Sequence, residues 1–140
     1  MKTNYQTKKL GDNVAWQKGD ILEGIDRRPE AARHYIIALE EYHAGDFVGA
    51  MLTSSDAYPE NISMKPEHIR THADDGTDCK FQFKDTRFVK GRFIKLESWG
   101  PFTKVGELTK EGLDFVETET KNIEPELWYD YVTRMQKYEK

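Results

Sequence analysis

Two apolar runs a few residues apart constrain the fold more than any other stretch: Tyr35-Ile36-Ile37-Ala38-Leu39 and Phe47-Val48-Gly49-Ala50-Met51-Leu52. Each is short, rich in β-branched or aromatic side chains and below the length of a stable helix, so the pair predicts two buried strands. The charged stretch between them, Glu40-Glu41-Tyr42-His43-Ala44-Gly45-Asp46, supplies the turn of a central hairpin. In an antiparallel pair the start of one strand lies beside the end of the next. Arg33 and His34 open the first run and Thr53-Ser54-Ser55 close the second, so a guanidinium, an imidazole and several hydroxyls are expected at one rim. Such a rim suits an anion.

Around the hairpin the chain reads as one domain over 1–140. A polar, loosely held segment covers 1–12, a barrel 13–108 and C-terminal helices 109–140. Ile21 to Ile25 predicts a first strand, with Gly19 allowing the bend before it. A charged loop broken by Pro29 leads into the hairpin. Beyond it, Ile62-Ser63-Met64 reads as a short strand, Pro66 to Ile69 as one helical turn, and Asp74 to Asp78 as an acidic turn. Two further strands are expected. In Cys79–Lys84, Phe81 and Phe83 alternate with Lys80, Gln82 and Lys84; the other spans Arg87–Leu96. Their polar faces carry Lys84, Lys90 and Arg92, the densest basic feature of the chain. Ser98-Trp99-Gly100-Pro101 is a break, Thr109 an N-cap, and Pro125 the first position of a last helix running toward Lys140. Trp128, Tyr131, Val132, Met135 and Tyr138 recur in it at helical spacing, which marks packing residues rather than a base-stacking surface. The fold class is therefore mainly β with terminal helices.

Composition narrows the chemistry. A chain of 140 residues can bury a core without disulfides, and the single Cys79 provides neither an intramolecular disulfide nor a cysteine-cluster zinc site. It reads as an ordinary thiol in a reducing cytoplasm. No apolar run reaches the roughly 20 residues of a membrane-spanning helix, and the start of the chain has no signal-peptide core. The net charge of −4, from 25 acidic and 21 basic residues, means that any nucleic-acid binding must come from a local patch. His68 and His72 have metal-ligand spacing but no third ligand, and read as surface histidines. Asp74-Asp75-Gly76-Thr77-Asp78 lacks the terminal glutamate of a calcium loop. Glycine-rich phosphate loops and nucleophile elbows are missing, so neither a cofactor nor a metal is expected.

Gly19-Asp20-Ile21-Leu22, Arg33 before the apolar strand, Leu52-Thr53-Ser54-Ser55, and Lys104-Val105-Gly106-Glu107-Leu108-Thr109-Lys110-Glu111-Gly112-Leu113 follow one another along the chain. In that order they resemble the PemK/MazF family of toxin endoribonucleases. The likeness covers about residues 19 to 116. Arg28-Pro29 matches the family's Arg-Pro pair literally, but Glu30-Ala31-Ala32 follows in place of an apolar strand, so Arg33 is the preferred counterpart. His34 then stands where the family has proline.

The resemblance implies an SH3-like small barrel, a homodimer, an antitoxin protein as partner, and metal-independent cleavage of single-stranded RNA. In that reaction the ribose 2′-hydroxyl attacks the neighbouring phosphate. Arg33 takes the place of the catalytic arginine, and Thr53 with Ser54 that of the hydroxyl partner. A guanidinium offers a fixed fork of donors to a phosphate gaining charge, and a hydroxyl can orient a phosphate oxygen. His34 is a candidate acid or base, because imidazoles titrate near neutral pH. Lys84, Arg87, Lys90 and Arg92 are expected to engage the RNA backbone. The rival expectation is a non-catalytic barrel that binds protein or nucleic acid through a degenerate site.

Overall fold

A computed structural model describes residues 16–25, 33–54, 60–97 and 101–136, with the main chain only at Ile25 and Arg33. The segment 1–12, the loop 26–32, Ser55, the break at 98–100 and the chain beyond Gln136, with Tyr138, lie outside the described residues. Seven strands run in order: β1 Asp20–Ile25, β2 Arg33–Glu41, β3 Phe47–Thr53, β4 Ile62–Ser63, β5 Arg87–Phe88, β6 Phe93–Lys95 and β7 Thr103–Glu107. Two helices follow, α1 Lys110–Thr120 and α2 Trp128–Met135, and a single 3-10 turn spans Pro66–His68. All strand pairs are antiparallel, in the spatial order β4-β5-β3-β2-β1-β7, and β6 pairs with β3 beyond β5. The sheet is not closed into a barrel by strand pairing. Outside the strands, an isolated bridge joins Ile69, after the 3-10 turn, to Leu108, just after β7, beside a hydrogen bond from Arg70 N to Glu107 O at 3.0 Å.

The predicted hairpin forms, and it is buried on both faces. That is why its apolar runs are continuous rather than alternating. Ile37, Leu39, Ala50 and Leu52 enter one core with Ile21, Phe88 and Val116 of α1. Ile36, Ala38, Phe47 and Met51 enter a second with Trp16, Phe93, and Tyr131 and Met135 of α2. Each fully buried Ile, Leu or Phe contributes about 1.5–3 kcal/mol, more than an exposed ion pair supplies. The two cores therefore hold the fold.

Several local signals act as expected. Gly19 has φ +93°, opening the bend into β1. The Thr109 hydroxyl caps α1 by accepting from Gly112 N at 3.0 Å, while donating to Glu67 O at 2.8 Å. Gly112 lies so close to the 3-10 turn that a Cβ there would run into the His68 carbonyl.

Four expectations are corrected. Cys79–Lys84 is not a strand. Phe81 and Phe83 do pack against the first core, and Phe81 N bonds Val105 O at 2.8 Å, but Gln82 Nε2 turns back onto Thr71 O and Cys79 O. The alternation reflects one-sided burial of an irregular segment, and Asp85, at φ +50°, ends it. Arg87–Leu96 is split into β5 and β6: Leu52 faces Phe88 and Val89 N still donates to Met51 O at 2.9 Å, while Gly49 faces Phe93, so 90–92 bulge out of the ladder. The last helix starts at Trp128 rather than Pro125, because Glu126 is drawn into a parallel bridge with Phe93; Ile94 N donates to Glu126 O at 2.9 Å. His68 is a core residue, not a surface one. It is 4% exposed, its Nδ1 accepts from Lys65 N at 3.0 Å, and its ring stacks on Phe115.

An ion-pair chain fastens the 70–83 excursion to the β1–β7 edge. Asp20, buried, accepts from Gln17 N at 2.8 Å and faces Lys104 Nζ at 3.2 Å; Lys104 also reaches Glu107 at 2.9 Å. Glu107 pairs with Arg70, which pairs with Asp74 at 2.9 Å, and Lys80 meets the buried Glu23 at 3.0 Å. Burial pushes the Asp20 carboxyl up, against the lowering pull of Gln17 N and Lys104.

Two stability predictions follow from these contacts. Gly112→Ala should cost more than Thr109→Ala in urea titration, the latter about 1 kcal/mol, because a backbone clash cannot relax as a lost cap can. Lys95, 7% exposed, has its amine lowered by burial from 10.5 to about 8. The unfolded chain therefore holds the extra proton between about pH 8 and 10.5, and this group's contribution to stability rises with pH through that window. Lys95→Met should be more stable than the wild type at pH 7, by up to about 3 kcal/mol, with the gain fading toward pH 10.5. A gain that does not change with pH would contradict this.

Candidate functional site

The register of the central strands assembles the rim. Gly24 of β1 pairs with His34 of β2, Tyr35 pairs with Leu52, and Thr53 of β3 pairs with Arg87 of β5. One step beyond the Tyr35–Leu52 pair, His34 falls beside Thr53. Three adjacent strands thus present an imidazole, a hydroxyl and a guanidinium in a row. At about 4.8 Å between strands the row is roughly 10 Å wide, enough for a phosphodiester and its flanking riboses.

Alternation puts the three on one face. Ile36, Met51 and Val89 belong to the second core, and His34, Thr53 and Arg87 each lie two residues further along the same face. The apolar cover stops there: His34, Thr53 and Arg87 are half-buried and Ser54 is exposed. Arg87 Nη1 donates to Ser54 O at 3.3 Å, which spends one of the five N–H donors of the guanidinium and aims it along the end of β3. Among the arginines whose side chains are described, Arg70, Arg92 and Arg134 are each in an ion pair and Arg87 is not. It is the one described guanidinium with its charge uncompensated by a carboxylate.

Arg33 pairs through its main chain with Ile25, next to His34 and at the same end of the sheet. Its side chain lies outside the described residues.

The basic face expected from Lys84, Arg87, Lys90 and Arg92 does not form as one surface, because the two strands that were to carry it do not run as expected. Arg87 joins the rim. Lys84 and Lys90 are exposed on the turns flanking β5, where Lys84 N bonds Thr86 Oγ1 at 3.0 Å. Arg92 is folded inward: Nη2 meets Glu40 Oε2 at 2.8 Å and Nη1 donates to Thr120 Oγ1 at 3.3 Å, with 12% of the side chain exposed. It forms part of a separate open hollow of about 480 Å³ lined by Glu40, Glu117, Thr118, Lys121, Ile123 and Pro125. His68 and His72 share no site: His72 Nε2 sits 3.0 Å from Asp78 Oδ1, while His68 is in the core. Among the described residues no group of three or more His, Cys, Asp or Glu is placed to hold a metal ion, and no helix is long and apolar enough to cross a membrane.

Sequence reasoning assigned Arg87 to backbone binding, and its place beside Thr53 depends on the β3–β5 pairing. The signal for that pairing was the β-rich Arg87-Phe88-Val89, opposite in polarity to Met51-Leu52-Thr53. Comparison with protein-family models, characterised proteins and solved structures finds no match.

Arg92→Ala should lower stability by about 1 kcal/mol in denaturant titration, through loss of the Glu40 and Thr120 contacts, while leaving RNA retention on a filter unchanged. A drop in retention at unchanged stability would return Arg92 to the nucleic-acid surface.

Proposed function

We propose that this chain is a metal-independent endoribonuclease acting on single-stranded RNA, an SH3-like barrel of the PemK/MazF kind with the hairpin rim as its phosphate site. The observation that carries the reading is the convergence of His34, Thr53 and the uncompensated Arg87 on one face, with Arg33 next in the chain at the same end of the sheet. The Arg87 guanidinium fork binds the non-bridging oxygens and stabilises the charge that builds on them, with Arg33 the candidate for a second donor at the end of β2. Thr53 and Ser54 orient the phosphate. His34 moves the proton: as base it takes the 2′-hydroxyl proton, or as acid it supplies one to the departing oxygen. The 2′-oxygen bonds to phosphorus, the bond to the 5′-oxygen breaks, and a 2′,3′-cyclic phosphate and a 5′-hydroxyl result. Lys84 and Lys90, exposed on either side of β5, engage the flanking backbone. The same reading carries with it a homodimer in the cytoplasm and an antitoxin protein as inhibitor.

A second reading is favoured by Arg87 being bonded to its own chain at Ser54 O and by the inward turn of Arg92. In it the barrel binds RNA or protein without cleaving, and function lives in the surface rather than in a reaction.

Incubation with a long single-stranded RNA in EDTA separates the two. The wild type should leave cyclic phosphate ends, with Arg33→Ala, Arg87→Ala and His34→Ala each slower by about 100-fold or more while still folded. Wild-type rates in both arginine variants would remove the site assignment. Salt-sensitive retention of RNA without cleavage by any form would select the second reading.

A further inference from the structure

The stretch from Thr71 to Cys79 is a small hairpin closed by main-chain bonds. Cys79 N donates to Thr71 O at 2.9 Å, Ala73 N to Thr77 O at 2.8 Å and Gly76 N to Ala73 O at 2.9 Å, and His72 and Asp78 form an antiparallel bridge. Asp75 Oδ1 accepts from Thr77 N at 3.0 Å and from the Thr77 hydroxyl at 2.7 Å, and Gly76, at φ +90°, takes the corner. This frame sets three polar side chains in series. The Thr71 hydroxyl lies 2.8 Å from His72 Nδ1, and His72 Nε2 lies 3.0 Å from Asp78 Oδ1.

The order of the groups fixes the direction of each bond. A carboxylate only accepts, so Nε2 carries the ring hydrogen toward Asp78; a neutral imidazole then has its acceptor at Nδ1, and the Thr71 hydroxyl donates to it. Hydroxyl, base and carboxylate are arranged as in serine-type acyl transfer, with the two ring nitrogens exchanged. The other charged side chains of this stretch are engaged: Arg70 with Asp74 and Glu107, Asp75 with Thr77, and Lys80 with Glu23. Cys79, across the hairpin from Thr71, is the poorer nucleophile, because burial pushes its thiol up and disfavours the thiolate. Access is open: Thr71 is exposed, and the side chains of His72 and Asp78 are 56% and 83% exposed.

We propose that Thr71 is the acyl acceptor of a second, hydrolytic site acting on small activated carboxylic esters, with His72 as its base and Asp78 positioning the imidazole. The Thr71 oxygen attacks the acyl carbon while Nδ1 takes the hydroxyl proton. The bond from that carbon to the leaving oxygen breaks, and the leaving group departs with the electron pair and the proton held on Nδ1. Water then attacks the acyl-threonine and gives its proton to Nδ1, the bond to the Thr71 oxygen breaks, and that oxygen recovers the proton, leaving a carboxylic acid and the free hydroxyl. Because the site is open, water solvates the oxyanion of each step and the leaving group must be weakly basic, which restricts the substrate to activated esters.

The test treats the whole folded protein with limiting p-nitrophenyl acetate, following p-nitrophenolate by absorbance and the acetylated residues by peptide mass spectrometry. Thr71 should acetylate at least about 10-fold faster than Thr118 and Thr133, which are exposed. Thr71→Ala should release less p-nitrophenolate than the wild type, and His72→Ala should bring Thr71 down to the rate of the other two threonines. Asp78→Asn should slow the labelling and Asp78→Glu restore part of it, which a purely structural role for the side chain would not produce. The substituted side chains take no part in the main-chain bonds of the hairpin, and amide spectra check that it persists. Labelling of Thr71 no faster than Thr118, labelling unchanged by His72→Ala, or p-nitrophenolate release unchanged by Thr71→Ala would overturn the assignment. The outcome does not depend on whether the rim cleaves RNA.

Discussion

The central hairpin has no solvent face, and the rest of the structure answers that constraint. Two strands that bury both sides need two separate covers. Helix α1, the 3-10 turn and the 70–83 excursion close one side; α2, Trp16 and Phe102 close the other. Polar chemistry is thereby excluded from the length of the strands and confined to their ends. The rim is where the apolar cover of the second core runs out, and His34, Thr53 and Arg87 occupy the first uncovered position on three neighbouring strands. The site follows from the packing.

Electrostatics sharpen that localisation. The chain is acidic overall, and most of its described cations are neutralised where they stand. The Asp20–Lys104–Glu107–Arg70–Asp74 chain and the Glu23–Lys80 pair occupy the β1–β7 edge, Arg92 is drawn to Glu40, and Arg134 to Glu126. The pairs between exposed partners add little stability, and at the buried Asp20 and Glu23 the pairing mainly offsets desolvation. Their larger effect is on the field, since each removes a positive charge from the surface and leaves Arg87, among the described arginine side chains, as the one uncompensated at the rim.

What the sequence disclosed was local, and what it hid was tertiary. The hairpin, the bend at Gly19 and the cap at Thr109 are each determined by residues within a few positions, and each forms where expected. The Cys79–Lys84 segment misled because Phe81 and Phe83 alternate for burial against α1's core without any ladder to pair with. Pro125 misled because β6 captures Glu126 before the helix can begin. His68 is as polar as His72, and only the approach of Phe115 makes it a core residue. Nothing local marks Lys95 for burial; the β3–β6 register, which sets it opposite Phe47, decides it. For the site, the rim was legible from hairpin geometry, but the recruitment of Arg87 and the withdrawal of Arg92 depend on where 90–92 leaves the ladder.

The central claim, that the rim holds a phosphodiester, is tested most directly by titrating the isotope-labelled protein with a single-stranded oligonucleotide methylated at every 2′-oxygen, and following the backbone amide resonances. Such a ligand cannot be cleaved, so binding is read apart from catalysis. The account predicts that the largest shifts fall at His34, Thr53, Ser54 and Arg87, and that they weaken with salt. Shifts centred instead on Glu117, Thr118 and Lys121, or none at the rim at saturating oligonucleotide, would contradict it.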